Sequence, residues 1–300
     1  LYLRPFRFPQ VDRLLLVSSD TNAGALYLDR ESVAPADFRD WQEQATAVEA
    51  LGAARFWDPN LSGIDVPEQL PGFHVTPGFF DVLQVSPVMG RTFRDDEARA
   101  GAGHVVVISH AMWLRRYGGA VDVLGRTLRL DGETHEIVGV MPPRFAIPYG
   151  AEVWAPLALD ADGWQQRKSG NLVTIGRLRP GRSLQDARDE FTALVARQAA
   201  EHPDTNRARG VTVLSFTRGF GDDAVGPLMV IWQAAGLLVL VVACANVANL
   251  LLARATERQS EFAVRLALGA SRGRLIGQLL LEGACLAILG LGLGAGLTFV

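Results

Sequence analysis

Glu261 precedes Arg265 by four residues, the order in which an acid and a base on one helix face attract each other and also suit the helix dipole. Phe262 and Leu266 repeat that spacing on a neighbouring face, Gly269 before Ala270 suits a helix end, and Ser271 suits the cap of a following helix. With Glu257 and Arg258 one turn earlier, these residues make a short charged element with an apolar edge, suited to docking in a cleft on another protein. The same charges have a plainer use, which is to hold a short loop in water beside a membrane. Neither use makes or breaks a covalent bond.

The residues that would do bond chemistry do not assemble into a set. A phosphate-binding GxxxxGK[ST] loop needs a lysine after glycine, and the single lysine, Lys168, follows Arg167. Gly269-Ala-Ser271-Arg-Gly273 matches the GxSxG of serine hydrolases, but no Asp lies beyond Asp223 and no His beyond His202 to complete a triad. The histidines at 74, 104, 110, 135 and 202 show neither HExxH nor paired i,i+4 spacing, and read as surface or packing residues. The expectation is therefore no catalytic residue, no cofactor and no metal, with any ATP hydrolysis performed by another subunit.

What must position the 254–274 loop is hydrophobic. Residues 228–253 carry no charged side chain, and 26 helical residues extend about 39 Å, enough to cross a hydrocarbon layer of about 30 Å with some tilt. Arg254, Arg258, Arg265, Arg272 and Arg274 follow, and basic residues gather in loops that stay in the cytoplasm. Residues 1–226 then lie outside the membrane, with 24 of the 29 Lys and Arg and 29 of the 32 Asp and Glu in the chain preceding the span. A mildly acidic region of this kind is no nucleic-acid partner. Within the span, Gln233, Asn246 and Asn249 are polar. Asn246 and Asn249 share a face, and either hydrogen-bond to neighbouring helices or line a path. Residues 275–300 begin a second span, in which Gly290, Gly292, Gly294 and Gly296 give overlapping GxxxG patterns for close helix packing, or simply a thin helix. Leu1 in place of Met and the short apolar end suggest an internal piece of a longer protein. Cys244 and Cys285 both fall in apolar segments, so the outer region relies on an ordinary core rather than disulfides.

The outer region reads as α+β. An apolar run at 13–19, an amphipathic helix from Pro35 to Val48 and a strand at 51–57 form one βαβ unit. A second comprises a strand at 172–178, a helix from Ser183 with Asp186 completing a capping box, and a strand at 211–216. Two such units predict a split ferredoxin-like layer, lobe one at 12–61 and 166–218, with an inserted α+β lobe at 62–165. In that insert, 127–140 is a hairpin around Asp131-Gly132.

Several of these segments resemble one family. Val75-Thr-Pro-Gly-Phe79-Phe80 through Gly90-Arg91-Thr-Phe93, Val107-Ile-Ser-His-Ala-Met-Trp113 with Gly125, Ile137-Val-Gly139-Val-Met-Pro142 and Val153-Trp-Ala-Pro-Leu157 resemble the MacB-like periplasmic core domain over 1–226. Glu257-Arg258 to Glu261, Arg265, Gly269-Ala270 and Leu279-Leu-Leu-Glu282 resemble an incomplete FtsX-like permease domain over 227–300. Leu3-Arg4-Pro5 to Leu14 resembles the junction after the first span in duplicated orphan permeases. The resemblance implies a permease subunit of a macrolide-exporter-type ABC system in the bacterial inner membrane. It also implies an ATPase subunit in the cytoplasm, a permease dimer, lipid contact and a periplasmic adaptor or envelope enzyme as partners. The other reading it allows is a non-transporting regulator of a cell-envelope enzyme.

Overall fold

The computed structural model describes residues 8–20, 33–62, 68–148, 150–220 and 225–257, together with Gly277 and Gly290. The chain divides into two compact units, Leu1–Gly226 and Pro227–Val300.

The first unit opens with β1 (Leu14–Asp20), α1 (Pro35–Gln44) and β2 (Val48–Trp57), then β3 (Asn60–Ser62), β4 (Glu68–Gln69), β5 (Gly72–Val75), α2 (Phe79–Leu83) and β6 (Met89–Gly90). There follow β7 (Val105–Ile108), α3 (His110–Tyr117), β8 (Thr127–Leu130), β9 (Glu133–Val140), β10 (Val153–Pro156) and α4 (Ala161–Trp164). The unit ends in β11 (Val173–Leu178), α5 (Leu184–Glu201), α6 (Pro203–Asn206), β12 (Gly210–Ser215) and α7 (Phe216–Gly219). One hydrogen-bonded path runs β12-β1-β11-β2-β5-β10-β7-β9-β8-β3-β4, with β6 paired to β9.

Its first four strands interleave the two βαβ units. β11 lies between β1 and β2 and is antiparallel to both, while β12 is antiparallel to β1 on the outer side. Side chains alternate across this layer as strand geometry requires. Leu15 and Val17 join Phe38 and Trp41 of α1 and Phe191, Leu194 and Val195 of α5 on one face. Leu14 and Leu16 join Phe79, Phe80 and Phe216 on the other. Both faces are covered, which is why the strand segments read as continuous apolar runs. Strand β5 then pairs with β2, so the segment between the units extends the same sheet, and hydrogen bonds cross the expected lobe boundary at 61–62. A third cluster, including Val106, Ile108, Met112, Leu128, Ile137 and Val153, is the core of that extension.

The motifs earn their places individually. Ser183 and Asp186 cap α5 reciprocally, and Asp131-Gly132 turns β8 into β9 with both residues at positive φ. Thr76 fixes the end of β5 by accepting the Ala53 N–H through Oγ1 at 3.0 Å. Gly90 has φ +74°, and a Cβ there would lie 2.1 Å from the Val138 carbonyl oxygen, so only glycine lets this bend press onto β9. Helix α1 ends at Gln44, four residues short of the expected Val48. Val48 is instead recruited into β2, across from Leu178, where the β2–β11 register shifts.

The carboxylate that ties the helices to the returning chain is Asp37, 2% exposed. It accepts from Arg167 at 2.7 Å, Asn206 at 3.0 Å and Arg209 at 2.9 Å, joining α1 to α6 and to the segments before β11 and β12.

In the second unit, α8 (Val225–Glu257) spans 33 residues. Its residues 230–250 have mean hydropathy 2.1 and extend about 31 Å, so by length and composition this helix can cross a membrane. The side chains at 230–250 are exposed throughout.

Removing the Asp37 carboxylate leaves Arg209 facing a buried site without its ion-pair partner and Arg167 with Asp40 alone, at 2.8 Å. Asp37→Ala is expected to cost about 3–5 kcal/mol by denaturant unfolding of the chain in detergent. Breaking the exposed Arg39–Glu43 pair with Arg39→Ala is expected to cost less than about 0.5 kcal/mol.

Candidate transmission site

The antiparallel pairing of β1 with β12 sets Leu15 opposite Ser215, so the first and last strands of the first unit lie side by side. On the incoming side, Gln10 takes a left-handed conformation (φ 48°) before the turn Val11–Arg13. On the outgoing side, β12 passes directly into α7. Aromatic rings join the two. Phe8 meets Phe216 edge-on at 5.6 Å and Phe145 at 6.2 Å, and Phe216 packs on Phe220 at 4.7 Å. Gly219 lies against Leu16 so closely that a Cβ would come within 2.7 Å of it. Edge-to-face contacts of this kind add to the burial of the rings themselves.

Two arginines lock the seam to the sheet. Arg177, at 1% exposure in β11, donates from Nε to the Val82 carbonyl at 2.7 Å and from Nη1 to the Pro9 carbonyl at 3.2 Å. Its Nη2 and the Thr174 hydroxyl are buried without a partner among the described residues. Arg13 donates to the Leu178 carbonyl at 2.9 Å through Nε and pairs with Glu49 at 2.7 Å, while Glu49 also faces Arg177 at 3.9 Å. Burial, and then the nearby Arg13 charge, lower the Arg177 pKa, with Glu49 opposing both. The result is a hydrogen-bonded link from the incoming backbone through β11 to the end of α2. Its groups are donors, carbonyls and rings, suited to holding position rather than to transferring protons or attacking bonds.

Of the residues singled out from sequence, Gln233, Asn246 and Asn249 are exposed along α8, and Glu257 is its last residue. Gly290 is helical. Arg258, Glu261, Phe262, Arg265, Gly269, Ala270, Gly292, Gly294 and Gly296 lie outside the described residues.

A second concave region gathers His74, His104 and His135. A cleft of about 300 Å³ is lined by Trp57, His74, His104, Asp131, Glu133 and His135 among others. Burial, opposed by a bond to the Pro156 carbonyl at 3.1 Å, pushes His74 down to about 4. Burial also lowers His135. Asp131 is held below the usual carboxylate range by the Asn60 N–H, with help from the Trp57 indole. His104 and His135 are 31 positions apart, so no local spacing rule links them. The parallel pairing of β7 with β9 brings them together, and the Glu133-x-His135 alternation on one strand face was the available signal.

Comparison with known proteins agrees with this architecture. The MacB-like periplasmic core domain model matches residues 3–194 and the FtsX-like permease C-terminal model matches residues 234–300. "Probable syringafactin export ATP-binding/permease protein SyfD" of Pseudomonas syringae pv. tomato is 26% identical over 242 residues, 79% of this chain and 34% of that protein. Macrolide export ATP-binding/permease protein MacB of Neisseria meningitidis is 25% identical over 224 residues, 73% of this chain and 33% of that one. The chain thus spans about a third of the length of the curated relatives it matches. The solved periplasmic region of MacB from Actinobacillus actinomycetemcomitans shares the fold, with TM-score 0.52 at 11% identity over 68% of this chain and 88% of that one.

Arg177→Met retains the bulk but removes the donors to Val82 and Pro9, and is expected to cost roughly 2–3 kcal/mol in denaturant unfolding. Arg13→Met, whose partner Glu49 is one-third exposed, should cost less. For His74, the folded pKa of about 4 lies below the ordinary 6.5, so as pH falls the unfolded chain binds the proton first. The stability present above pH 6.5 should decline between about 6.5 and 4, read as a falling thermal midpoint that His74→Gln flattens.

Proposed function

Since the chain belongs to the MacB-like periplasmic core domain family, as an ABC permease with an FtsX-like C-terminal segment, we propose that it is the permease subunit of a bacterial macrolide-exporter-type system. Motion generated by ATP hydrolysis in a cytoplasmic partner is passed to residues 1–226 outside the inner membrane. The observation that carries this reading is the β1–β12 register, Leu15 opposite Ser215. The first and last strands of the outer unit are paired, so a relative displacement of the segments flanking them would act on a single pair of strands. Compounds named for the relatives, a macrolide and syringafactin, illustrate the class of cargo such a system exports.

The arginines after α8 support placing the 254–274 loop in the cytoplasm, where Glu257, Arg258, Glu261, Phe262, Arg265, Gly269 and Ala270 form the contact with the ATPase. Gln233, Asn246 and Asn249 then serve contacts between helices, as do Gly290, Gly292, Gly294 and Gly296 in a permease dimer. One observation favours the second reading, regulation of a cell-envelope enzyme without transport. Residues 228–253 offer no charged side chain to line a polar route, whereas mechanical transmission needs none.

Purification of the full-length protein from native membranes, wild type beside Glu261→Arg, tests the coupling. An ATPase subunit with ATP hydrolysis should accompany the wild type and be lost or silenced in the variant, with Gly269→Pro behaving alike while both insert normally. Absence of any ATPase from the wild type would refute the assignment. Compound accumulation in a deletion strain, against altered activity of a bound envelope hydrolase, separates export from regulation.

A further inference from the structure

We propose that His104, Glu133 and His135 form a binding site for a borderline divalent transition ion of the Zn²⁺ type, on the β7–β9 ladder of the outer unit. One ligand atom from each lies within 4.8 Å of the others. A tetrahedral Zn²⁺ with bonds of about 2.0–2.2 Å needs its ligands roughly 3.3 Å apart. His104 Nδ1 and Glu133 Oε2 already stand at 3.4 Å, and both side chains are at least half exposed, so they can close on an ion without disturbing the core.

His135 supplies the fixed member. It is 5% exposed, with its ring 5.7 Å from Trp57 and 4.9 Å from His104. Its Nδ1 lies 3.2 Å from the Glu133 carbonyl oxygen. With Nδ1–H donating there, the lone pair of Nε2 is left for a metal, the arrangement by which a backbone carbonyl orients a histidine ligand. The backbone holds the rest. The Glu136 N–H donates to the His104 carbonyl at 2.9 Å, and the Asp131-Gly132 turn delivers Glu133 onto the same face of β9 as His135.

The neighbours sharpen the assignment. Asp131 is engaged by the Asn60 N–H at 2.9 Å and the Trp57 indole at 3.0 Å, and Glu97 by the Arg91 guanidinium at 2.8 and 2.6 Å, which leaves Glu133 as the available carboxylate of the cleft among the described residues. Arg55 lines the same cleft. Two imidazoles and one carboxylate suit Zn²⁺, Ni²⁺ or Cu²⁺ better than Mg²⁺ or Ca²⁺, which prefer all-oxygen ligands. Three protein ligands leave a fourth position for water or a bound molecule, as in open zinc sites. His104 also closes the glycine-containing stretch 99–103, where Gly101 has φ +79° and open space around it, so a bound ion would pin this loop to the hairpin.

The test uses the untagged full chain in detergent, stripped with chelator and titrated with Co²⁺, whose four-coordinate complexes absorb strongly in the visible. One equivalent should bind and be displaced by Zn²⁺. His104→Ala and Glu133→Gln should each weaken binding at least about tenfold, while His202→Ala leaves it unchanged. His104 is exposed, so unaltered thermal unfolding of metal-free His104→Ala establishes that the loss is one of ligation. No four-coordinate spectrum in about tenfold excess of Co²⁺, or a spectrum that persists in the His104→Ala/Glu133→Gln double variant, overturns the site.

Discussion

The architecture of the outer unit depends on β11 occupying the slot between β1 and β2. Those two strands are joined by α1 in a parallel crossover and leave room for one antiparallel strand between them. The chain makes an excursion of more than one hundred residues before filling it. Once β11 is in place, α5 must cross the same face as α1 to bring β12 to the free edge of β1. That closing step brings the outgoing chain beside the incoming chain. Arg177 sits at the centre of this arrangement and bonds carbonyls contributed by two other segments, Pro9 and Val82, so the slot and the seam are fixed by the same side chain. Its Nη2 and the Thr174 hydroxyl, buried without a partner among the described residues, place a polar cost in this layer.

Much of this layer is legible in the sequence, because its signals are local. The apolar run in β1, the Ser183–Asp186 capping box and the Asp131-Gly132 turn each specify an element within a few residues. What could not be read was how far the sheet continues. Pairing of β2 with β5, and the parallel ladders β5–β10 and β7–β9, join strands separated by whole helices or loops, and no periodicity in one strand names its partner. Similarly, Pro35 marks the start of α1, but the apolar spacing that would carry the helix to Val48 yields to the pairing of Val48 with Leu178 of β11.

The two regions of interest differ in the same way. Aromatic residues at the seam, Phe8, Phe145, Phe216 and Phe220, are far apart in sequence, and each alone reads as ordinary core. No helical spacing marks His104, Glu133 and His135, because they come from the residue before β7 and from the neighbouring strand β9. Burial of His135 follows from its place between Trp57 and the sheet, a property of the assembled ladder rather than of the residues around it in the chain. By contrast, the apolar run in α8 needs no tertiary partner to be recognised, since length and composition alone give its capacity to cross a membrane.

A single sheet also bears on how displacement would travel. Had the 62–165 segment formed a separate lobe on a linker, motion at the seam would be absorbed by the hinge. Instead β2 passes its hydrogen bonds to β5, and Phe73, Val75, Phe80 and Trp154 share one core with Leu14, Leu16 and Phe216 at the seam. Close-packed cores transmit strain. The Phe216 ring is therefore part of the same close-packed body as the strands that lead to the histidine cleft. A shift imposed on β12 relative to β1 would be carried along the strand ladder instead of being lost between domains.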